Sequence, residues 1–519
     1  MNTLPATQRA VQLTGPDKLT LNNNKEVFKP GPHQILAQVE VTGLCFSDLK
    51  LLKQFSAHVR KSDVIEVLPP EVLSEIPSYV PDNTPTVPGH ETVVRIIEVG
   101  EKVSNVKPGD RRLVQADFRW LKTAQSNAAF GYNFEGALQE YVLLDERAIT
   151  APDGESMLIP AADDLSASAV ALVEPWACVE DSYVVRERQR PLSGGRAYTV
   201  DSNVTKAEDI QALADESLDD VVFLGANADL LELVFPKVAK HGLVNIVQRG
   251  ETFGRPVVTP VGRIHYGGVR ITGTTGSDIQ EGYAAIPENG EIRPNDQINI
   301  LGAAGPMGTM HVIRNLCQGM PGVTVYGGDM SDERLEQLAK LSAPLAAANH
   351  VAFHTYNAKT NPPTQSFNYI ALMVPVPALV EAAVQQAAPK AIINIFAGIP
   401  ATVSHPIDLD TLIARNAYFI GTSGSTIEDM KIVLSKVTAR TLDTNLSVAA
   451  ISGLDGAVEG IRAVETQAIP GKILVYPSCK GLPLTRLTEL KQSLPEVAAK
   501  LKDGTWTREA EQALLAAFS

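Results

Sequence analysis

Ile298-Asn299-Ile300-Leu301-Gly302-Ala303-Ala304-Gly305-Pro306-Met307-Gly308 decides the fold class of this chain. The apolar run Ile298–Leu301 reads as a buried strand that turns at Gly302 and Gly305 into a helix, with Pro306, Met307 and Gly308 in its first turn. Such a turn brings backbone amides and a helix N-terminus to a pyrophosphate. A second apolar strand, Val323–Tyr326, ends near Asp329, at the spacing of a ribose-binding acid. Asp329 would accept hydrogen bonds from both ribose hydroxyls and repel a 2′-phosphate. Met330 follows it, where 2′-phosphate sites offer arginine, so NAD is favoured over NADP. The competing reading of Asp329 is an N-cap for a helix beginning near Asp332, which Ser331 would serve as well.

Outward from this turn the chain repeats itself. Asp219–Gln248 aligns with Asn368–Ala397, and Gly273-Thr274-Thr275-Gly276-Ser277 with Gly421-Thr422-Ser423-Gly424-Ser425. Both copies run strand, helix, strand, irregular segment, strand. In the second copy this is the back half of the nucleotide domain, whose loops should face the nicotinamide. Val374, Gly421, Thr422 and Ser423 therefore join the candidate cofactor residues. The first copy is incomplete: Arg196–Ser202 supplies one more strand, but no glycine-rich strand-turn-helix precedes it. Without a phosphate cradle it is expected to bind no dinucleotide.

Ahead of the repeat stand three short contexts: Gly43-Leu44-Cys45-Phe46-Ser47-Asp48, Pro88-Gly89-His90-Glu91 and Leu172-Val173-Glu174-Pro175. A catalytic zinc takes a few soft or borderline ligands in tetrahedral array and keeps one position open. Cys45 thiolate, His90 imidazole and one or both of Glu91 and Glu174 meet that demand. An alcohol on such a centre loses its proton near neutral pH, and a carbonyl there becomes more electrophilic. Ser47 is spaced to pass the hydroxyl proton outward, and Asp48 to accept a hydrogen bond from the far nitrogen of His90. Taken singly, Cys45 reads as a buried apolar thiol and Glu174 as a solvated residue at a helix start. The combination carries the reading, because Pro88–Glu91 runs on through Thr92–Val103 into the turn Lys107-Pro108-Gly109-Asp110.

These motifs resemble, over most of the chain, the zinc-containing medium-chain dehydrogenase/reductase family. The resemblance implies a fold of class α/β plus β: a GroES-like β-barrel catalytic domain and a Rossmann nucleotide-binding domain, here with an inserted half-Rossmann repeat. By match to the family motif, Cys45, His90 and Glu174 sit at its catalytic metal ligands, Glu91 follows the histidine as usual, and Ser47 sits at its proton-relay hydroxyl. The carboxylate of Leu172-Val173-Glu174-Pro175 is similar to the polyol dehydrogenase branch. Some members of that branch hold the metal through the counterpart of Glu91 and reach that of Glu174 through water, so the two carboxylates stay unranked. Lys50 departs from the pattern, standing where many members keep a histidine for the last proton-relay step. The only cysteines are Cys45, Cys178, Cys317 and Cys479, so the four-cysteine lobe of a structural zinc is missing and one catalytic zinc is expected.

The expected domains are a GroES-like zinc catalytic domain over 1–185, a partial Rossmann-like repeat without a glycine loop over 186–290, an NAD-binding Rossmann domain over 291–431 and, over 432–519, a C-terminal return to the catalytic domain with terminal helices. Arg9–Leu21 and Gln34–Val41 alternate like strands, Ala167–Val184 is patterned like a helix, and Leu484–Phe518 carries helical apolar spacing ending in a packing tail. Leu442–Pro477 resembles the family's C-terminal passage, in which a strand re-enters the nucleotide-domain sheet or its edge. In that family the last strand of the nucleotide domain commonly joins its twin across a dimer axis, which implies a homo-oligomer, most simply a dimer. Val269–Gly273 would then imitate the partner inside one chain. Covering the catalytic cleft and inertly extending the sheet are the other roles open to the half-domain.

The chain has 519 residues, 44% hydrophobic and 20% charged, enough for two or three domains with real cores. A net charge of -14 disfavours nucleic acid as the main partner and offers no general basic surface to a membrane. Met1–Gln12 lacks the apolar core of a signal peptide, no apolar run is long enough for a membrane span, and the scattered cysteines suit a reducing cytoplasm. Against this acidic background Lys50, Lys53, His58, Arg60 and Lys61 crowd between the first two ligand motifs. They would anchor a phosphate or carboxylate on a polyol or sugar by charge-assisted hydrogen bonds, or form a solvated helix face. The long insertion, the Leu-Val-Glu-Pro and Gly-Pro-Met-Gly motifs and Gly131-Tyr132-Asn133-Phe134 are similar to reductases of ketose phosphates such as sorbose 1-phosphate. The leading expectation is therefore a zinc- and NAD-dependent interconversion of a secondary alcohol and a ketone in a polyol, sugar or sugar phosphate. Its alternatives are a redox-neutral epimerase or lyase with tightly bound NAD, and a non-catalytic nucleotide-binding regulatory protein.

Overall fold

The computed structural model describes residues 4–518. They form two units, one of Met1–Ala177 with Thr426–Ser519 and one of Cys178–Ser425. No helix among them is long and apolar enough to cross a membrane.

In the first unit the hub is the ten-residue strand Gln34–Gly43, buried along most of its length. It pairs antiparallel with Glu91–Val99, Tyr141–Asp145 and Lys472–Val475, at the centre of an eight-stranded sheet. Its sequence alternates Ala37, Val39 and Val41 with Gln38, Glu40 and Thr42, and it is buried at most positions all the same. The C-terminal strands Val448–Ser452 and Lys472–Val475 join this barrel sheet, and this corrects the expectation that they re-enter the nucleotide-domain sheet. The reason is the register: Leu474 pairs with Gly43 and Val475 with Thr42, so Lys472 is carried to a buried carboxylate on the neighbouring strand. Arg9–Leu21 is not one strand but a hairpin, Thr7–Leu13 with Leu19–Glu26, because Gly15-Pro16-Asp17 turns the chain and Asp17 adopts a positive φ of 58°. Near the C-terminus, Glu511 is buried and accepts from the amides of Ala167 (2.6 Å) and Ser168 (2.8 Å), capping the short helix Ala167–Ala171 that leads to Glu174. The terminal helix Arg508–Ala517 packs through Ala510 and Leu514, while much of Ala513–Phe518 stays partly exposed.

The second unit holds two parallel sheets. One has six strands in the order Ala352–Asn357, Thr324–Asp329, Gln297–Leu301, Phe367–Leu372, Ala387–Ile395, Tyr418–Ile420. That is the doubly wound order of a dinucleotide-binding domain. The other has four strands, Ala197–Asp201, Leu218–Leu224, Val238–Val247 and Arg270–Thr274, matching the first strand and back half of the larger sheet. Its first strand ends in a turn where Asp201 accepts from the Asn203 amide, followed by the short helix Ala207–Gln211 in place of a glycine-rich turn.

The helix Pro306–Cys317 that opens at the glycine turn is pinned by buried polar bonds. His311 Nδ1 lies 2.8 Å from the Tyr183 hydroxyl, which also accepts from Asn315 (2.9 Å), and Arg314 pairs with Glu180 (3.0 Å) and Glu291. Burial, aided by the nearby Arg314 charge, pushes the His311 pKa down to about 3. The folded state thus favours neutral His311, while the unfolded chain binds a proton below about 6.5. Its contribution is complete above that pH and is lost as pH falls from about 6.5 towards 3, by about 1.4 kcal/mol per pH unit. Urea midpoints measured between pH 7 and pH 4 should fall more steeply for the wild type than for His311→Gln.

Candidate metal and nucleotide sites

The register of the hub strand assembles the first site. Gly43 pairs with Glu91 on one side and with Leu474 on the other. A Cβ on Gly43 would stand 2.1 Å from Glu91 Oε2, so only glycine leaves room for that carboxylate. Glu91 is fully buried; its Oε1 accepts from Lys472 Nζ at 2.6 Å, and its Oε2 has no hydrogen-bond partner. Cys45, two residues past the strand, opens the helix Phe46–Gln54. The ligand atoms of Cys45, His90 and Glu91 lie within 4.8 Å of one another. A thiolate, an imidazole and a dry, unbonded carboxylate oxygen fit a zinc ion. Glu174, in the first turn of Val173–Val184, is not part of that group, although the charges of His90 and Glu91 both reach its carboxyl.

Asp48 accepts from His90 Nδ1 at 3.1 Å and from the Cys45 amide at 3.1 Å, leaving His90 Nε2 for the site. The Ser47 hydroxyl lies 3.1 Å from Cys45 Sγ and 3.2 Å from His90 Nε2. Burial works against a charged His90 ring, but the Asp48 carboxylate and Cys45 beside it hold its pKa well above the ordinary value. Burial pushes the Glu174 carboxyl up to about 7, with His90 pulling against it and Glu91 adding to it. Burial is the strongest single influence on the Lys472 ammonium and opposes it, but the charge and hydrogen bond of Glu91 together with Cys45 and Glu174 raise the Lys472 pKa.

The basic stretch does not form one patch. Lys53 is exposed and pairs with Asp17 (3.0 Å) and Glu465 (2.6 Å). Lys61 is buried, donating to the carbonyls of Val80 and Thr84, and burial lowers its pKa to about 8. Lys50, His58 and Arg60 remain near the metal-binding group. The buried Tyr132 ring connects them to it: its centroid is 6.0 Å from His90 and 5.0 Å from His58, with the Arg60 guanidinium 5.8 Å from it. The Ser47 hydroxyl is also close enough to act on the Tyr132 phenol, although burial dominates and raises the Tyr132 pKa. Burial and the charges of Arg60 and Lys50 push the His58 pKa down to about 4. Lys50 is exposed, one turn beyond Ser47 on the same helix.

At the second site Gly302 has a φ of 82°, and a Cβ there would lie 2.6 Å from Val374 Cγ2. A Cβ on Gly308 would approach the Gly302 carbonyl oxygen to 2.1 Å, so both glycines are required by the turn itself. Gly305 is the N-cap of Pro306–Cys317, with Pro306 and Met307 entering the helix. Asp329 ends its strand and accepts from the amides of Met330 (2.8 Å), Ser331 (3.2 Å) and Ala304 (3.3 Å), tying it to the glycine turn. Ser331 caps the following helix, so Asp329 is released from that duty. Arg334 reaches over the turn, 3.7 Å from Asp329 and 3.3 Å from the Ala304 carbonyl. Gly421, Thr422 and Ser423 follow the last strand; Gly421 is pressed against the backbone of His265, and its carbonyl accepts from Arg270.

Residues 31–153 match the alcohol dehydrogenase GroES-like domain. This segment of the chain is a GroES-like domain of the alcohol dehydrogenase type. It is 29% identical over 248 residues to the uncharacterized protein YggP of Escherichia coli, covering 44% of this chain and 58% of that one. It is 30% identical over 234 residues to L-sorbose 1-phosphate reductase of Klebsiella pneumoniae, covering 43% and 56%. The chain thus spans a little over half the length of these curated relatives. Its fold is similar to that of 2R,3R-butanediol dehydrogenase from Bacillus subtilis, with a TM-score of 0.55 and 16% identity over 91% of this chain and all of that one.

Lys472 and Tyr132 escaped the sequence reading as site residues. The signal for Lys472 was available: a lysine at the start of the buried strand Lys472–Val475 needs a buried partner. Lys472→Met strands the Glu91 carboxylate, and is expected to destabilise the first unit by about 3 kcal/mol. It should also weaken zinc binding roughly 10–100-fold, read by competition with a chromophoric chelator.

Proposed function

We propose that this protein is a zinc- and NAD(H)-dependent oxidoreductase that interconverts a secondary alcohol and a ketone on a polyol or sugar phosphate. The observation that carries the proposal is the convergence of Cys45, His90 and the unbonded oxygen of buried Glu91, with the Ser47 hydroxyl set on two of them. A zinc ion bound there supplies Lewis acidity that lowers the pKa of an alcohol or polarises a carbonyl. The Gly302–Gly308 turn and Asp329 would hold the pyrophosphate and ribose of NAD, which would supply the hydride-transfer chemistry when bound. Asp48 orients His90, Lys472 orients Glu91, and Ser47 receives or returns the hydroxyl proton, with the Tyr132 hydroxyl as its neighbour. Asp329 at the end of its strand supports NAD over NADP. One zinc suffices for this chemistry, and the four cysteines suit a reducing, cytoplasmic setting.

A phosphorylated substrate is supported by Arg60 over the Tyr132 ring, by Lys50, whose charge reaches the neighbouring His58, and by the relative named L-sorbose 1-phosphate reductase. Arg60 is only loosely committed, 3.6 Å from Asp117 and 30% exposed, and a fork of donors beside an aromatic ring suits a phosphate.

The test is NADH formation by zinc-loaded protein across matched polyols and polyol phosphates. Turnover with neither class would overturn the proposal. Ser47→Ala should lower kcat by roughly 100-fold or more while zinc content by elemental analysis stays at wild-type level. Arg60→Met should raise KM for the phosphorylated polyol alone; an equal rise for the neutral polyol would remove the phosphate from the assignment.

A further inference from the structure

The two copies of the repeat pack against each other through contacts that come in exchanged pairs. The alignment that sets Gly273 on Gly421 also sets Val258 on Pro406, Gly262 on Asp410, His265 on Ile413 and Arg270 on Tyr418. The strands Val257–Thr259 and His405–Ile407, equivalent in the repeat, pair antiparallel with Val258 opposite Pro406. An equivalent pair facing itself at the centre of an antiparallel ladder marks a local two-fold axis.

The surrounding contacts obey the same exchange. A Cβ on Gly273 would lie 3.1 Å from the Ile413 side chain, and one on Gly421 would lie 2.9 Å from the backbone of His265. Asp410 accepts from the amides of Phe253 (3.0 Å) and Gly254 (3.2 Å). Reciprocally, Gly262 is packed against Pro400 and Ala401, and its amide donates to the Val403 carbonyl at 3.1 Å. Arg270 (2.8 Å) and its equivalent Tyr418 (2.8 Å) both bond the single buried carboxylate of Glu187, which therefore stands beside the axis. One apolar cluster runs across, with Ile246, Val257, Ile264 and Ile271 from one copy and Ile393, Ile407, Leu412 and Phe419 from the other.

Contacts in which residue i meets j and the equivalent of j meets that of i are the signature of an isologous interface between identical subunits. Here both sides belong to one chain. We infer that the half-domain of residues 197–277 is an internal stand-in for a second copy: it closes, in cis, the two-fold face that the nucleotide domain presents beside Tyr418–Ile420. The face is thereby unavailable to another chain, and the edge strand that would otherwise invite pairing is covered. The homodimer expected across that edge is replaced by an intrachain pseudo-dimer. The inference holds whatever reaction the protein performs.

The full-length chain carrying Val258→Cys with Pro406→Cys tests it. Directly opposed residues of an antiparallel pair have Cα atoms about 4.5–5.5 Å apart, within disulfide range. Equal amounts of isotopically light and heavy protein are mixed under denaturant, refolded together and oxidised, and the linked peptide is identified by mass. Light–light and heavy–heavy links alone are expected. Light–heavy links at the statistical one-half, or no link at all, would overturn the inference. Should the double variant fail to fold, the unsubstituted chain gives the same answer by amide exchange. Protection of the Gly262 and Phe253 amides should be unchanged over a roughly 100-fold dilution, and its loss on dilution would place the contact between chains.

Discussion

Gly43 opposite Glu91 is the constraint on which the metal-binding group rests. With no side chain on the hub strand at that point, a carboxylate occupies a dry position that any Cβ would close. A buried carboxylate without a cation is costly, by several kcal/mol. The third strand answers it, since antiparallel pairing of Leu474 with Gly43 delivers the ammonium of Lys472 to Glu91 Oε1. The other oxygen is left unbonded and Cys45 follows within two residues, so one register serves charge balance and ligand convergence together. A slip of one residue on any of the three strands would send these side chains to the opposite face.

Charge elsewhere shows how little linear crowding says about a binding surface. Five basic residues lie close in sequence, yet Lys61 is consumed by backbone carbonyls and Lys53 by exposed carboxylates. Only the part of the stretch that folds back on Tyr132 adjoins the ligand group, and Tyr132 comes from a distant loop. Ordering Lys61 removes a charge-bearing side chain from solvent, which is why burial lowers its pKa.

The second unit uses duplication in two ways. The copy with a glycine turn keeps the cradle that backbone amides make; the copy without one keeps only the strands and helices that build a two-fold face. His241 and Lys390, equivalent in the repeat, both hold positive φ, 59° and 60°, and Asn245 and Asn394 are both fully buried. The backbone has therefore been retained where the ligand cradle is absent. Packing against its own likeness joins the core of the half-domain to that of the nucleotide domain.

The glycine turn, the strand ending at Asp329, the duplicated segment and the contexts of Cys45 and His90 were legible in the sequence, because each is a local pattern whose chemistry lies within a few residues. Periodicity located Gln34–Gly43 and the helical stretch from Ala167, but missed the hairpin break at Asp17, and the family's C-terminal passage put into the nucleotide-domain sheet a strand that pairs with the hub strand. The sequence by itself determined the fold class and the residue types available for metal and nucleotide. Only the tertiary structure decided that Glu91 lies beside Cys45 and His90, that Lys472 neutralises it, and that the half-domain packs on its own chain. The physical reason is that strand register, burial and pairing across the fold set which charges meet, and spacing along the chain carries none of the three.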